Sequence, residues 1–151
     1  MSTLRYRVDL GEFRRAAFAL GRVNDQIPRE NDRIVRTSTM RGVAKAKAKA
    51  LTIPARGPKH RGTRKRVSRG VGYRRTPLGY RITTSMPPGE ELLPWGFEHQ
   101  WAHPVYGGPS WVIQHSHYPW FTEPIADEYD FLLREFTSNL RRAAQSVDRM
   151  V

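Results

Sequence analysis

Two groups of side chains in this 151-residue chain have types and spacings that could do chemistry. The first is a set of histidines. His99 and His103 stand four apart, and His115 and His117 would share one face of a strand, spacings that zinc can use. Pro104 directly follows His103 and disfavours helix there, so the four-residue spacing does not bring the two rings together. Cysteine is absent and no acid lies between Glu98 and Glu123, which leaves the donor set short. These histidines read as packed, hydrogen-bonded structural residues. Catalytic patterns are missing as well: there is no nucleophile elbow, phosphate-binding loop, HExxH or kinase motif. Gly70-Val71-Gly72-Tyr73 is glycine-rich but lacks the lysine and following helix of a phosphate loop. The expectation is a protein that is not an enzyme and needs no metal or cofactor.

The second group is cationic. Arg56, Lys59, His60, Arg61, Arg64, Lys65, Arg66 and Arg69 sit on a glycine-punctuated backbone with no aromatic residue before Tyr73. Without stacking rings or a recognition helix, such a segment suits phosphate contact rather than base reading. The whole chain carries 26 Lys+Arg against 14 Asp+Glu, a net charge of +12, and a pI near 10.8. No acid occurs between Asp32 and Glu90, and that window holds 16 of the 26 basic residues. The remainder, with ten bases and fourteen acids, is net −4. A cationic segment on a mildly acidic body points to a polyanion, or to an acidic surface on a neighbouring subunit.

The elements that must position these groups follow from periodicity. Leu4, Tyr6 and Val8 alternate with Arg5, Arg7 and Asp9, a half-buried strand. Phe13, Ala16, Ala17 and Leu20 mark one face of a short helix. A second helix is expected from Pro28 to about Leu51, with Ile34, Met40, Val43 and Ala44 as its apolar stripe and Pro54 as its stop. Residues 55–76 hold almost nothing to bury and read as a loop or extended arm, with 70–73 a candidate hairpin partner for a strand over 79–85. From Thr122, a plausible N-cap, to Val147 the spacing of Ile125, Tyr129, Leu132, Phe136, Leu140, Ala143 and Val147 predicts a long amphipathic helix. The fold class is α+β: N-terminal helices, a small antiparallel sheet carrying a basic arm or hairpin, and a long C-terminal helix packed on the sheet. One domain is expected, divided into a strand and helices (1–53), a basic arm (54–76), a β-rich aromatic region (77–121) and the C-terminal helix (122–148). A mean hydropathy of −0.65 and the lack of any long apolar run exclude a membrane span. The N-terminus lacks the apolar stretch of a signal peptide, so the chain is expected in a cytosol or in an assembly built there.

Residues 101–124 are the densest part of the chain. They contain three of the four tryptophans, three of the five histidines, Tyr106, Tyr118 and Phe121. Pro104, Pro119 and Pro124 fix φ and remove donors, and Gly107-Gly108-Pro109 marks a turn before a Trp111-Val112-Ile113 strand. So many rings on an irregular path make either a core corner or an interface.

The order of these pieces resembles a known family. Pro54-x-x-Gly57-x-Lys59-His60-x-Gly62-x-Arg64 is followed by Trp101-x-His103-Pro104-Val105-Tyr106-Gly107, Trp111-Val112-x-Gln114 and Pro119-Trp120-Phe121-x-x-Pro124 ahead of a C-terminal helix. The pattern, from about residue 30 onward, is similar to the neck or tail-completion proteins that join head to tail in long-tailed phages, in the versions found in phages of actinobacteria. The resemblance implies a virion structural protein, assembled in the bacterial host cytoplasm. It implies a homo-oligomeric ring, commonly six-fold, between the connector or head-closure protein and the tail-tube or terminator protein, with genomic double-stranded DNA passing through. The tail terminator, which occupies the adjacent ring, and a free sequence-independent nucleic-acid-binding module are the alternatives. The residues expected to matter are the basic arm (Arg56, Lys59, Arg61, Arg64, Lys65, Arg66, Arg69), facing DNA or a partner, and the structural or interface motif of Trp101, His103, Pro104, Tyr106, Gly107, Trp111, Pro119, Trp120, Phe121 and Pro124.

Overall fold

The structure is a computed structural model that describes residues 4–7, 15, 26–54, 62–77, 79–99, 101–104, 111–114 and 117–148. Its elements run β1 (Arg5–Arg7), α1 (Gln26–Ala50), α2 (Thr63–Gly70), β2 (Val71–Thr76), β3 (Gly79–Thr84), α3 (Leu93–Glu98), β4 (Trp101–Pro104), β5 (Trp111–Gln114) and α4 (Thr122–Asp148). The architecture is α+β. One antiparallel sheet has the order β1-β3-β2 and a second pairs β4 with β5. The expected helix over Phe13–Leu20 lies outside the described residues apart from Arg15.

Two long helices run antiparallel and make the main apolar seam. Buried positions on α1 are Ile27, Asn31, Ile34, Ser38, Gly42, Val43, Ala46 and Ala50, a stripe of three- and four-residue steps that keeps to one face of the helix. Met40 and Ala44 were expected on that stripe; Met40 is exposed and so is Ala44. The centre of the stripe is built instead from small residues. A Cβ added at Gly42 would already touch Ile125 at 3.7 Å, so the two backbones approach closely here. Ser38 Oγ donates to the Glu128 carbonyl at 3.4 Å across the same seam.

On α4 the buried face comprises Ile125, Glu128, Leu132, Phe136, Asn139 and Ala143. Tyr129, expected on this face, is 39% exposed and Glu128 takes the inward position. Ile125, Leu132, Phe136 and Ala143 are buried as expected, and Glu128 joins them where α1 presents Lys45 Nζ 2.5 Å and Arg41 Nε 3.3 Å from its carboxylate. A buried carboxylate is tolerable with such partners and not without them.

The β2–β3 hairpin pairs Val71 with Thr84 through Thr76 with Gly79, and β1 adds on the other side of β3. Val71, Ile82 and Thr84 are buried beneath α1, where they join Leu4, Val43, Ala46, Ala50, Ile53, Val67, Phe97, Trp120, Phe121 and Ile125. A second cluster of Ile34, Leu132 and Phe136 continues between α1 and α4, and Ile27 with Ala143 closes the far end.

The expected extended arm is corrected over 63–70, which forms α2, while 71–76 forms β2 and makes the expected hairpin with the following strand. Four residues apart, Thr63 and Val67 turn to the same side and are 1% and 0% exposed. Ser68 Oγ donates to the Lys47 carbonyl at 2.9 Å, which ties α2 to α1. Two small anchors and one hydrogen bond are enough to order a helix whose outer face is cationic; its composition concealed that. The remainder of the expected arm, 55–61, lies outside the described residues.

Gly70 is the joint between α2 and β2. Its carbonyl accepts from the Ser85 amide at 2.9 Å, and an added Cβ would stand 2.1 Å from the Ser85 carbonyl oxygen. Because the obstacle is backbone, the helix–strand joint must open to admit a methyl group. Gly70→Ala is expected to cost about 2 kcal/mol by overpacking, read as a lower midpoint in urea at unchanged slope.

Candidate interface surfaces

The Pro119–Pro124 motif is a corner assembled around one carboxylate. Pro94 in α3 helps start a short helix that ends on Glu98, which is 1% exposed. Glu98 accepts from the Phe121 amide at 2.9 Å and the Thr122 amide at 3.1 Å, and Thr122 Oγ1 also donates to it. Its charge lies at the positive end of α4, where an anion is favoured. The expected cap from Thr122 is therefore replaced: the Thr122 hydroxyl is a donor, and the accepting group comes from a residue distant in sequence. Trp120 Nε1 donates to the Pro94 carbonyl at 3.2 Å, which locks the same two segments from the other side. Tyr118 completes the corner, its amide donating to the Phe97 carbonyl at 3.3 Å and its hydroxyl 2.6 Å from Thr52 Oγ1 at the end of α1.

Trp120 and Phe121 are both 0% exposed, with ring centroids 5.4 Å apart, and Pro124 is buried while Pro119 is half-buried. This part of the motif is core, not contact surface. Trp101, His103 and Pro104 lie in β4 opposite Gln114, Val112 and Trp111 of β5. Tyr106 and Gly107 lie outside the described residues. Sequence reasoning missed Glu98 and Tyr118 as organising residues. The available signal was an isolated acid in an apolar stretch, two dozen residues before a helix start.

Much of the cationic segment is paired off, by acids just before and after it in sequence and by acids of α4. Arg33 bonds Glu30 at 2.5 Å, Lys49 bonds Glu123, Lys45 and Arg41 hold Glu128, and Arg75 reaches Asp32 at 3.2 Å. The Arg33 hydrogen bond holds the Glu30 carboxyl below its ordinary range. Arg66, expected to face DNA or a partner, is instead half-buried and makes a bidentate pair with Glu90 at 2.8 and 2.9 Å. Arg64, Lys65 and Arg69 are exposed on α2, and Arg56, Lys59 and Arg61 lie outside the described residues.

The sheet has its own cationic face. Arg5 and Arg74 are exposed and Arg81 is half-exposed, on the side of the sheet away from the buried Leu4, Val71, Ile82 and Thr84. Among the described residues no group of three or more histidine or acidic side chains is placed to hold a metal, and no helix is long and apolar enough to cross a membrane. Compared with protein-family models, with curated proteins and with solved structures, the chain matched none.

Proposed function

We propose that this protein is a structural component of a long-tailed phage virion that forms a ring at the head-to-tail junction, between the connector and the tail tube, around the passing genome. The observation that carries this reading is the ordered run of motifs from Trp101 to Pro124 ahead of a long helix, which resembles the neck and tail-completion family. The folded chain suits a subunit of such a ring. A rigid corner fixes α4 against the sheet, and cationic residues remain at the surface of α2 and the sheet for a polyanion or an acidic neighbour.

Mass by light scattering on the purified chain, alone and mixed with the tail-tube protein, tests the proposal. A closed homo-oligomer, or one that appears only with the partner, is the expected result. A strict monomer that ignores the partner and binds DNA would overturn it in favour of a free nucleic-acid-binding module, the reading that the net charge of +12 also favours.

A further inference from the structure

The strand register lines up three arginines. Arg81 in the central strand β3 stands opposite Arg7 of β1 on one side and Arg74 of β2 on the other. Directly opposed residues in an antiparallel sheet have Cβ atoms roughly 5 Å apart, and like charges so placed repel. The next row of the same face pairs Thr83 with Arg5 and with Gly72, where an added Cβ would meet nothing within 4 Å. The face is therefore open and low beside the arginines.

Neither Arg74 nor Arg81 has a carboxylate partner among the described residues. The contrast with the next residue is sharp, since Arg75 turns to the α1 side and pairs with Asp32. Five other bases of the acid-free segment are likewise neutralised, and Arg74 and Arg81 are not paired with any acid among the described residues. The sheet thus carries an uncompensated repulsion that an external anion relieves.

From this geometry we infer that the outer face of the β1-β3-β2 sheet is a binding site for the phosphodiester backbone of duplex nucleic acid, centred on Arg74 and Arg81. The chemistry of the face selects that ligand. Guanidinium forks match phosphate oxygens bidentately. Tyr73 and Tyr80 pack together on the opposite side of the hairpin, with ring centroids 6.0 Å apart, so the arginine side offers these bases no stacking platform. Protein hot spots set arginine among tryptophan and tyrosine anchors, whereas this face sets its arginines beside threonine and glycine, with no ring or apolar side chain in either row. Polar, strongly positive surfaces are characteristic of protein–DNA contacts. The site rests on the head-to-tail reading only for the choice of double-stranded DNA as the ligand, and it does not require a ring.

The test is binding of the full chain to a short random-sequence DNA duplex, by fluorescence anisotropy over a series of salt concentrations. In the Arg74→Gln/Arg81→Gln variant, the slope of log K against log salt should become shallower by about 2, roughly one unit per lost phosphate contact. The thermal midpoint of the free variant should hold or rise, because a repulsion has been removed; a merely structural role for these arginines would lower it. Arg74→Gln alone, at an exposed position, gives a shift of about 1 should the double variant fold poorly. An unchanged slope in a folded variant overturns the site. So does a variant that keeps the slope and loses binding to an acidic tail or head protein, which would make the face a protein contact. Light scattering on the same samples separates the two readings. A monomer with an arginine-dependent slope keeps this site without the ring, and a ring with an arginine-independent slope does the reverse.

Discussion

Trp120→Ala is expected to lower the unfolding free energy by about 4 kcal/mol, in the range for removing a fully buried large ring. The side chain is 0% exposed and packs on Phe121 with a tilted geometry of 58° between ring planes. Its loss opens a cavity between α3, α4 and the end of α1, and leaves the Pro94 carbonyl without the indole donor at 3.2 Å. Small domains have only about 5–15 kcal/mol in hand, so the variant should be partly unfolded at 37 °C or aggregate when overexpressed. Guanidinium unfolding followed by circular dichroism checks this, with a lower midpoint at constant slope. Trp120→Phe keeps most of the apolar volume and loses the N–H, and should cost about 2 kcal/mol. A loss below about 1 kcal/mol for the alanine variant would mean that the corner is not part of the core.

Glu98→Ala should cost about 3 kcal/mol, by a different route. Removing the carboxylate strands the buried Phe121 amide and leaves the half-buried Thr122 amide and hydroxyl without their acceptor. Glu98→Gln tests the chemistry rather than the volume. It keeps one acceptor oxygen but brings an NH2 group against two backbone N–H donors and a hydroxyl, of which only the hydroxyl can turn to accept, so it should recover little, costing about 2 kcal/mol. Amide hydrogen exchange at Phe121 and Thr122 should accelerate in both variants ahead of the middle of α4. If Glu98→Gln were as stable as the parent protein, the carboxylate would not be what fixes the start of α4.

These two residues show where the sequence was informative. The α4 helix follows from its own spacing, because every step of three or four residues is visible locally, and the β2–β3 hairpin follows from its alternation and glycines. The exchange of Tyr129 for Glu128 on the buried face of α4 was not legible, since it depends on Lys45 and Arg41 arriving from another helix to hold Glu128. Nor was α2. Its burial rests on Thr63 and Val67, two modest side chains in a run of cations. Trp120 and Phe121 could be marked as important from composition, yet whether they belong to core or contact surface is settled by Glu98 and Pro94. Pairing between segments more than twenty residues apart leaves no periodic trace.

The antiparallel pairing of α1 with α4 also fixes an order of events while the chain is being made. The ribosome delivers α1, α2 and the β2–β3 hairpin well before α4, so for that interval the small-residue stripe of α1 is uncovered. Lys49 waits for Glu123, which lies 74 residues further on, and Lys45 and Arg41 wait for Glu128. Contacts so far apart in sequence form late, because loop closure must precede them. The nascent protein therefore passes through a strongly cationic, half-covered state in which its own last helix is the missing counterion as well as the missing lid.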